Sequence, residues 1–108
     1  MIISLVIENM VKELGYQVIG KTASGENAVQ LAVDHEPDLI LMDIRLKGQM
    51  DGIEAVQKIK EQLDTHVIYL TGNSDKSNYD RAIATECVDL ISKPFTIREL
   101  TNSLKLVS

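Results

Sequence analysis

At 108 residues, 44% hydrophobic and 25% charged, the chain has the size and make-up of one globular domain with a packed core. A formal net charge of -5 with no run of Lys or Arg argues against a nucleic-acid surface. No apolar stretch reaches the roughly 20 residues a membrane helix needs, and a single cysteine, Cys87, excludes an internal disulfide and fits a reducing, cytoplasmic setting.

Ile2, Ile3, Val6, Ile7, Met10, Val11 and Leu14 recur at helical spacing, and Gly15 follows as a C′ residue, so the spacing predicts a helix from the first residues onward. This segment carries Glu8 and has neither a basic n-region nor a small-residue cleavage site, unlike a signal peptide. Gln17-Val18-Ile19-Gly20 reads as a short strand. Ser24-Gly25 opens a second helix with Ala28, Val29, Leu31, Ala32 and Val33 as its apolar positions, and Pro37-Asp38 stops it. Leu39-Ile40-Leu41-Met42 is the most apolar strand. Its lack of alternation means that both faces are covered, as in a parallel sheet.

The loop Lys47-Gly48-Gln49-Met50-Asp51-Gly52 leads to a third helix bearing Ile53, Val56, Ile59 and Leu63. Val67 to Leu70 is the next strand, followed by polar residues Gly72 to Asn78 and a helix with Tyr79, Ala82 and Ile83 turned inward. Val88 to Ile91 is the last strand. Beyond Ser92-Lys93-Pro94-Phe95, Thr96 and Glu99 are spaced as a capping box, with Ile97, Leu100, Leu104 and Val107 as the apolar stripe. The order is one helix and then four strand–helix units, without repeats or linkers.

Asp43, Thr71 and Lys93 close three successive apolar strands, and open α/β sheets collect ligands beyond the carboxyl ends of their strands. A carboxylate can act as a nucleophile toward phosphorus. Phosphoryl transfer to it needs positioning and positive charge or donors around the equatorial oxygens, which Lys93 and Thr71 would supply. A divalent cation, usually Mg2+ held by carboxylates and water, would bridge nucleophile and phosphoryl oxygen. Taken singly, Asp43 and Thr71 read as turn formers and Lys93 as a solvated lysine; their occurrence at three consecutive strand ends favours a site. Cys87 reads as a small buried hydrophobe, His35 and His66 as surface residues, and Tyr69 and Tyr79 as core or boundary residues.

These segments resemble the receiver domains of two-component response regulators. The resemblance is carried by Leu39-Ile40-Leu41-Met42-Asp43-Ile44-Arg45-Leu46, Met50-Asp51-Gly52-Ile53-Glu54, Tyr69-Leu70-Thr71-Gly72 and Ser92-Lys93-Pro94-Phe95, and by the spacing of Asp43, Thr71 and Lys93. It implies a three-layer α/β/α flavodoxin-like parallel sheet of order 2-1-3-4-5 spanning residues 1–108. It also implies Asp43 as phosphoacceptor, Thr71 as the hydroxyl that engages the phosphoryl group, and Lys93 as the lysine salt-bridged to it. The Arg45 carbonyl would join Asp43 as a ligand of Mg2+, and the peptide before Pro94 would be cis. The implied partners are a sensor histidine kinase or phosphotransfer protein and a downstream output domain or protein; the charge and the lack of a long apolar stretch argue against direct contact with nucleic acid or membrane.

The chain departs from the family in several places. Receivers begin with a hydrophobic strand ending in an acidic pair that holds the metal; here the helical pattern starts at once, and no Asp or Glu precedes Glu8. Asp38 lies at the wrong end of its strand, and Asp51 would reach the site only through a loop that folds back. In the family's strand order the missing strand is central, so its loss would expose two edges. A preceding segment, a strand from another chain or a rearranged sheet would each repair this, and a preceding segment is the favoured expectation. Leu90 stands where receivers usually carry Tyr or Phe, which implies altered coupling between phosphorylation and the last strand–helix face. Arg45 and Asn73 fall where the family tunes dephosphorylation; Arg45 either shields an acyl phosphate or is a solvated loop residue.

Three functions are therefore weighed. The first is a phosphoacceptor switch that acts on no outside substrate. The second is a pseudo-receiver, a receiver-like interaction module that works without phosphate. The third is a flavodoxin-like or phosphatase-like enzyme using Asp43 on small phosphate esters, for which no Gly-rich phosphate loop speaks.

Overall fold

The computed structural model describes residues 2–4, 8–18, 20–45, 49–72 and 76–107. The elements run β1 (Ile2–Ser4), α1 (Glu8–Glu13), β2 (Gly20–Thr22), α2 (Gly25–His35), β3 (Leu39–Asp43), α3 (Gly52–Lys60), β4 (His66–Thr71), α4 (Lys76–Ile83), β5 (Asp89–Ser92) and α5 (Ile97–Lys105). The strands form one 5-stranded sheet in the order β2-β1-β3-β4-β5, parallel at every pairing. This is the flavodoxin-like α/β order that the resemblance implies.

The unbroken apolar runs of β3 and β4 serve two cores. Ile40, Met42, Val67 and Tyr69 face one cluster with Ala28 and Ala32 of α2, Ile53, Val56 and Ile59 of α3, and Ala82 of α4. Leu39, Leu41, Ile68 and Leu70 alternate with them and pack with Val11 of α1, Ile91 of β5, and Leu100 and Leu104 of α5. A period of two in a sheet covered on both sides makes every position apolar.

The expected helix over the first residues is corrected. Ile2–Ser4 is a strand, and α1 begins only at Glu8. Ile2, Ile3 and Ser4 pair with Gly20, Lys21 and Thr22 of β2, and Ile2 pairs with Ile40 of β3. The central strand taken as missing from residues 1–108 is thus present, short, and supplied by this chain. The physical reason is the cost of an open slot: each unpaired buried backbone group there costs about 1–3 kcal/mol. β-Branched isoleucines suit a strand at least as well as a helix.

Two further expectations shift. The second strand starts at Gly20 rather than Gln17, because Tyr16 and Val18 pack into the α1–α5 core before the chain enters the sheet. On α4, only Ala82 of the three residues expected inside is buried; Tyr79 and Ile83 are 55% and 47% exposed. The caps read from sequence are in place: Ser24 accepts from Asn27 N, Thr96 and Glu99 form a capping box, and Gly15 has φ 92. Cys87 is half-buried against the α2–α3 core, and burial pushes its thiol pKa up. His35 and His66 are exposed.

Candidate functional site

β3, β4 and β5 are neighbours in the sheet, so their carboxyl ends lie side by side at the roughly 4.8 Å spacing of paired strands. Asp43 is registered with Leu70, and Thr71 with Ser92. This register brings Asp43, Thr71 and Lys93 to one end of the sheet. The Lys93 backbone N–H donates to the Thr71 carbonyl at 2.7 Å, extending the β4–β5 ladder by one step and fixing where the lysine leaves the sheet. The Lys93–Pro94 peptide is cis, in line with the resemblance.

The Asp43 side chain is 14% exposed and is ion-paired through Oδ1 with Lys93 Nζ, on a side chain 40% exposed. The same Oδ1 is buried and has no partner in hydrogen-bonding geometry. The lysine therefore compensates its charge without satisfying its lone pairs. Thr71 Oγ1 donates only a long bond of 3.5 Å to the Ile91 carbonyl. A hydroxyl held so weakly exchanges that partner at little cost. Together, these side chains offer a nucleophilic oxygen, an adjacent ammonium and a loosely held donor.

The described ends of the loop beyond Asp43 meet. Gly52 N–H donates to the Ile44 carbonyl at 2.7 Å, and a Cβ at position 52 would lie 1.9 Å from the Asp43 carbonyl oxygen. Only glycine permits that approach. The Asp51 carboxylate is nonetheless used elsewhere. It caps α3 by accepting from Glu54 N at 2.8 Å, in a box with the Glu54 side chain, and it accepts from Arg81 Nη1 of α4 at 3.2 Å. The Asp51-x-x-Glu54 pattern was a readable capping-box signal that the sequence reading did not use. Asp38 sits at the opposite end of β3, where its carbonyl accepts from His66 N. Arg45 is exposed two residues beyond Asp43. Asn73 lies outside the described residues.

The buried Asp43 Oδ1, ion-paired with Lys93 but without a partner in hydrogen-bonding geometry, is the kind of oxygen a hard cation binds. Mg2+, however, takes near-octahedral oxygen donors, and the described residues hold no group of three or more His, Cys, Asp or Glu able to bind a metal ion. Asp43 is already paired with Lys93. The described donors therefore do not by themselves fit a metal cage. No helix among the described residues is long and apolar enough to cross a membrane.

A family model described as the response regulator receiver domain matches residues 2–105. Among curated proteins, the transcriptional regulatory protein PdtaR of Mycobacterium tuberculosis is 31% identical over 105 residues, covering 97% of this chain and 51% of the relative. The chain thus spans about half the length of that relative. Among solved structures, the signal receiver domain of a modulated diguanylate cyclase from Desulfovibrio desulfuricans superposes with a TM-score of 0.88 at 27% identity, covering 98% of this chain and 90% of that one. The receiver domain of the sensor histidine kinase PA1611 from Pseudomonas aeruginosa gives a TM-score of 0.83 at 30% identity, covering 98% and 95%; that structure has a magnesium ion in its active-site cleft.

Proposed function

Because the chain belongs to the response regulator receiver family, we propose that it is a phosphorylation switch whose acceptor is Asp43, fed by a sensor histidine kinase or a phosphotransfer protein. The observation that carries this reading is the side-by-side arrangement of Asp43, Thr71 and Lys93 at the ends of β3, β4 and β5, with Asp43 Oδ1 buried against Lys93 Nζ.

In the transfer, an Asp43 carboxylate oxygen attacks phosphorus as the histidine nitrogen–phosphorus bond breaks. The imidazole leaves with the electron pair of that bond and takes a proton from solvent. Lys93 moves from the carboxylate to the incoming phosphoryl oxygens, where its charge is worth more because negative charge accumulates there. Thr71 gives up its long bond to Ile91 and donates to a phosphoryl oxygen. Water returns the domain to its resting form, so the protein turns over its own acyl phosphate and acts on no outside substrate. The changed surface is read by a downstream output domain or protein.

The protein ligands available to a Mg2+ ion would be Asp43 and the Arg45 carbonyl, where the ion would supply positive charge beside the phosphoryl oxygens, and with so few ligands the reading predicts weak affinity. That same shortage among the described residues, with an aliphatic Leu90 registered with Tyr69 in the sheet, favours a second reading: a pseudo-receiver that binds partners without phosphate. Incubation with beryllofluoride and excess Mg2+, followed by fluorine NMR, separates the two. An adduct that forms in wild type and is lost in Asp43→Asn supports the switch. No adduct at any Mg2+ concentration rejects the switch in favour of the pseudo-receiver, and turnover of small phosphate esters rejects both.

A further inference from the structure

The amino ends of the strands form the pole opposite Asp43, and two cavities open there. One, of about 410 Å3, has Tyr16, Glu36, Pro37, Asp38, Leu39 and Val107 in its lining. The other, of about 680 Å3, has Asp38, Lys60, Asp64, His66, Glu86 and Val107 in its lining. Asp38 and Val107 belong to both, so the two join into one groove across the ends of β3 and β4. Its floor is apolar at the Tyr16 end. Pro37 and Leu39 are buried there, and Tyr16 and Val107 are only partly buried against the α1–α5 core.

Its rim is acidic. Glu36, Asp38, Asp64 and Glu86 bring carboxylates, against the single ammonium of Lys60, which already donates to the Glu86 carbonyl at 3.0 Å. The backbone deepens this potential. Helices that follow parallel strands run back to this pole, where α2, α3, α4 and α5 end at His35, Lys60, Ile83 and Lys105. Each presents the negative end of its dipole there. A carboxylate beside a helix C-terminus works against the fold, yet Glu36 is the C-cap of α2 and Glu86 follows the end of α4. Both also take positive φ, 47 and 60, where glycine costs least. Stability alone calls for a glutamate at neither place. A cationic partner would be attracted by the side chains and by the helix ends together.

We propose that this groove docks a basic segment of a partner protein, a short stretch that seats an apolar side chain against Tyr16 and Val107 and lays Lys or Arg along Glu36, Asp38, Asp64 and Glu86. The negative rim repels an anionic partner. A lone metal ion fits poorly, since the described residues hold no group of three or more His, Cys, Asp or Glu able to bind one. The length of β3, about 16 Å, separates Asp38 from Asp43. A docked segment therefore leaves the Asp43–Lys93 pair open, and the inference stands apart from the phosphoacceptor reading.

The test titrates the chain, followed by backbone amide NMR, with an amidated peptide of alternating Leu and Lys or Arg. One control peptide carries Glu in place of every Lys and Arg, the other Ser in place of every Leu. The basic apolar peptide should shift the amides of Tyr16, Asp38, His66 and Val107 at submillimolar Kd and leave Thr71 and Lys93 unmoved. Added salt should weaken it, because the rim charges are exposed to screening. The acidic control should not bind, and the Ser control should bind more weakly. Glu36→Gly and Glu86→Gly suit their left-handed turns, so each should hold or raise Tm while weakening the peptide by about threefold to fivefold. Asp38→Asn, which leaves the backbone bond from His66 N intact, should weaken it as well. No shift at millimolar peptide overturns the proposal, as does equal binding of the acidic control. Shifts scattered over other acidic surfaces, or affinity unchanged in all three variants, also overturn it.

Discussion

Replacing Gly52 by alanine tests how tightly α3 is seated on the phosphoacceptor strand. The new Cβ would fall 1.9 Å from the Asp43 carbonyl oxygen, 2.9 Å from its carbonyl carbon and 3.0 Å from Met42 Cγ. Backbone cannot swing aside like the end of a flexible side chain, so the start of α3 must back away from β3 by about 1 Å in a close-packed interior. Overpacking of this kind costs about 1–3 kcal/mol. The retreat also stretches the 2.7 Å bond from Gly52 N–H to the Ile44 carbonyl, which is worth about 1 kcal/mol. The better helix propensity of alanine returns about 0.5–1 kcal/mol. The net loss is about 1–3.5 kcal/mol, a large share of the roughly 5–15 kcal/mol typical of a domain. Urea unfolding followed by circular dichroism should show a lower midpoint at unchanged slope, and Tm should fall by about 10 °C. Gly15→Ala is the control. Its position has φ 92 but nothing within 4 Å of an added Cβ, so only the left-handed backbone penalty of about 1–2 kcal/mol applies. Gly52→Ala no less stable than Gly15→Ala would refute the steric reasoning.

Three other outcomes follow from the same contacts. Lys93→Met should destabilise more than Asp43→Asn, by about 1 kcal/mol or more: the first strands a mostly buried carboxylate, while the second frees a lysine that is 40% exposed. Paired denaturation curves at neutral pH check the order, and the reverse order would contradict the burial argument. The Tyr69 pKa is raised in the folded state, so its stabilisation is complete below about pH 10 and is lost as pH climbs past that value, at up to about 1.4 kcal/mol per pH unit. Tyr69→Phe should flatten the alkaline fall in Tm, with the half-buried thiol of Cys87 contributing a residual slope of the same sign. Asp51→Ala should cost about 1 kcal/mol through the lost α3 cap, as Thr96→Ala should on α5. Only Asp51→Ala should also shift the α4 amides, because only Asp51 reaches Arg81. Equal α4 shifts in the two variants would argue against that link.

What could be read from the chain alone followed from short-range rules. The unbroken apolar runs of Leu39–Met42 and Val67–Leu70 disclosed a two-sided parallel sheet, because a period of two on both faces leaves no polar position. Ser24 and Thr96 announced helix starts through cap chemistry that acts within four residues. Asp43 and Thr71 could be placed at strand ends because each follows an apolar run directly, and Lys93 because only Ser92 separates it from Ile91; topology then makes neighbours of the ends. The opposite held wherever a partner far along the chain decides. Ile2 to Ser4 fit helical spacing, yet pairing with Gly20–Thr22 and Ile40 made them the central strand. Tyr79 and Ile83 marked an inner face on α4, yet among its described side chains only Ala82 is buried, and polar contacts to Asp51 and Tyr69 join α4 and its closing turn to the rest of the fold. The Tyr69–Thr85 and Asp51–Arg81 contacts span 16 and 30 residues, and no local pattern foretells them. Local periodicity and capping therefore determined the layers and the chemistry at the strand ends. The central strand and the seating of α4 were decided by long-range pairing, whose energy exists only once the chain has folded.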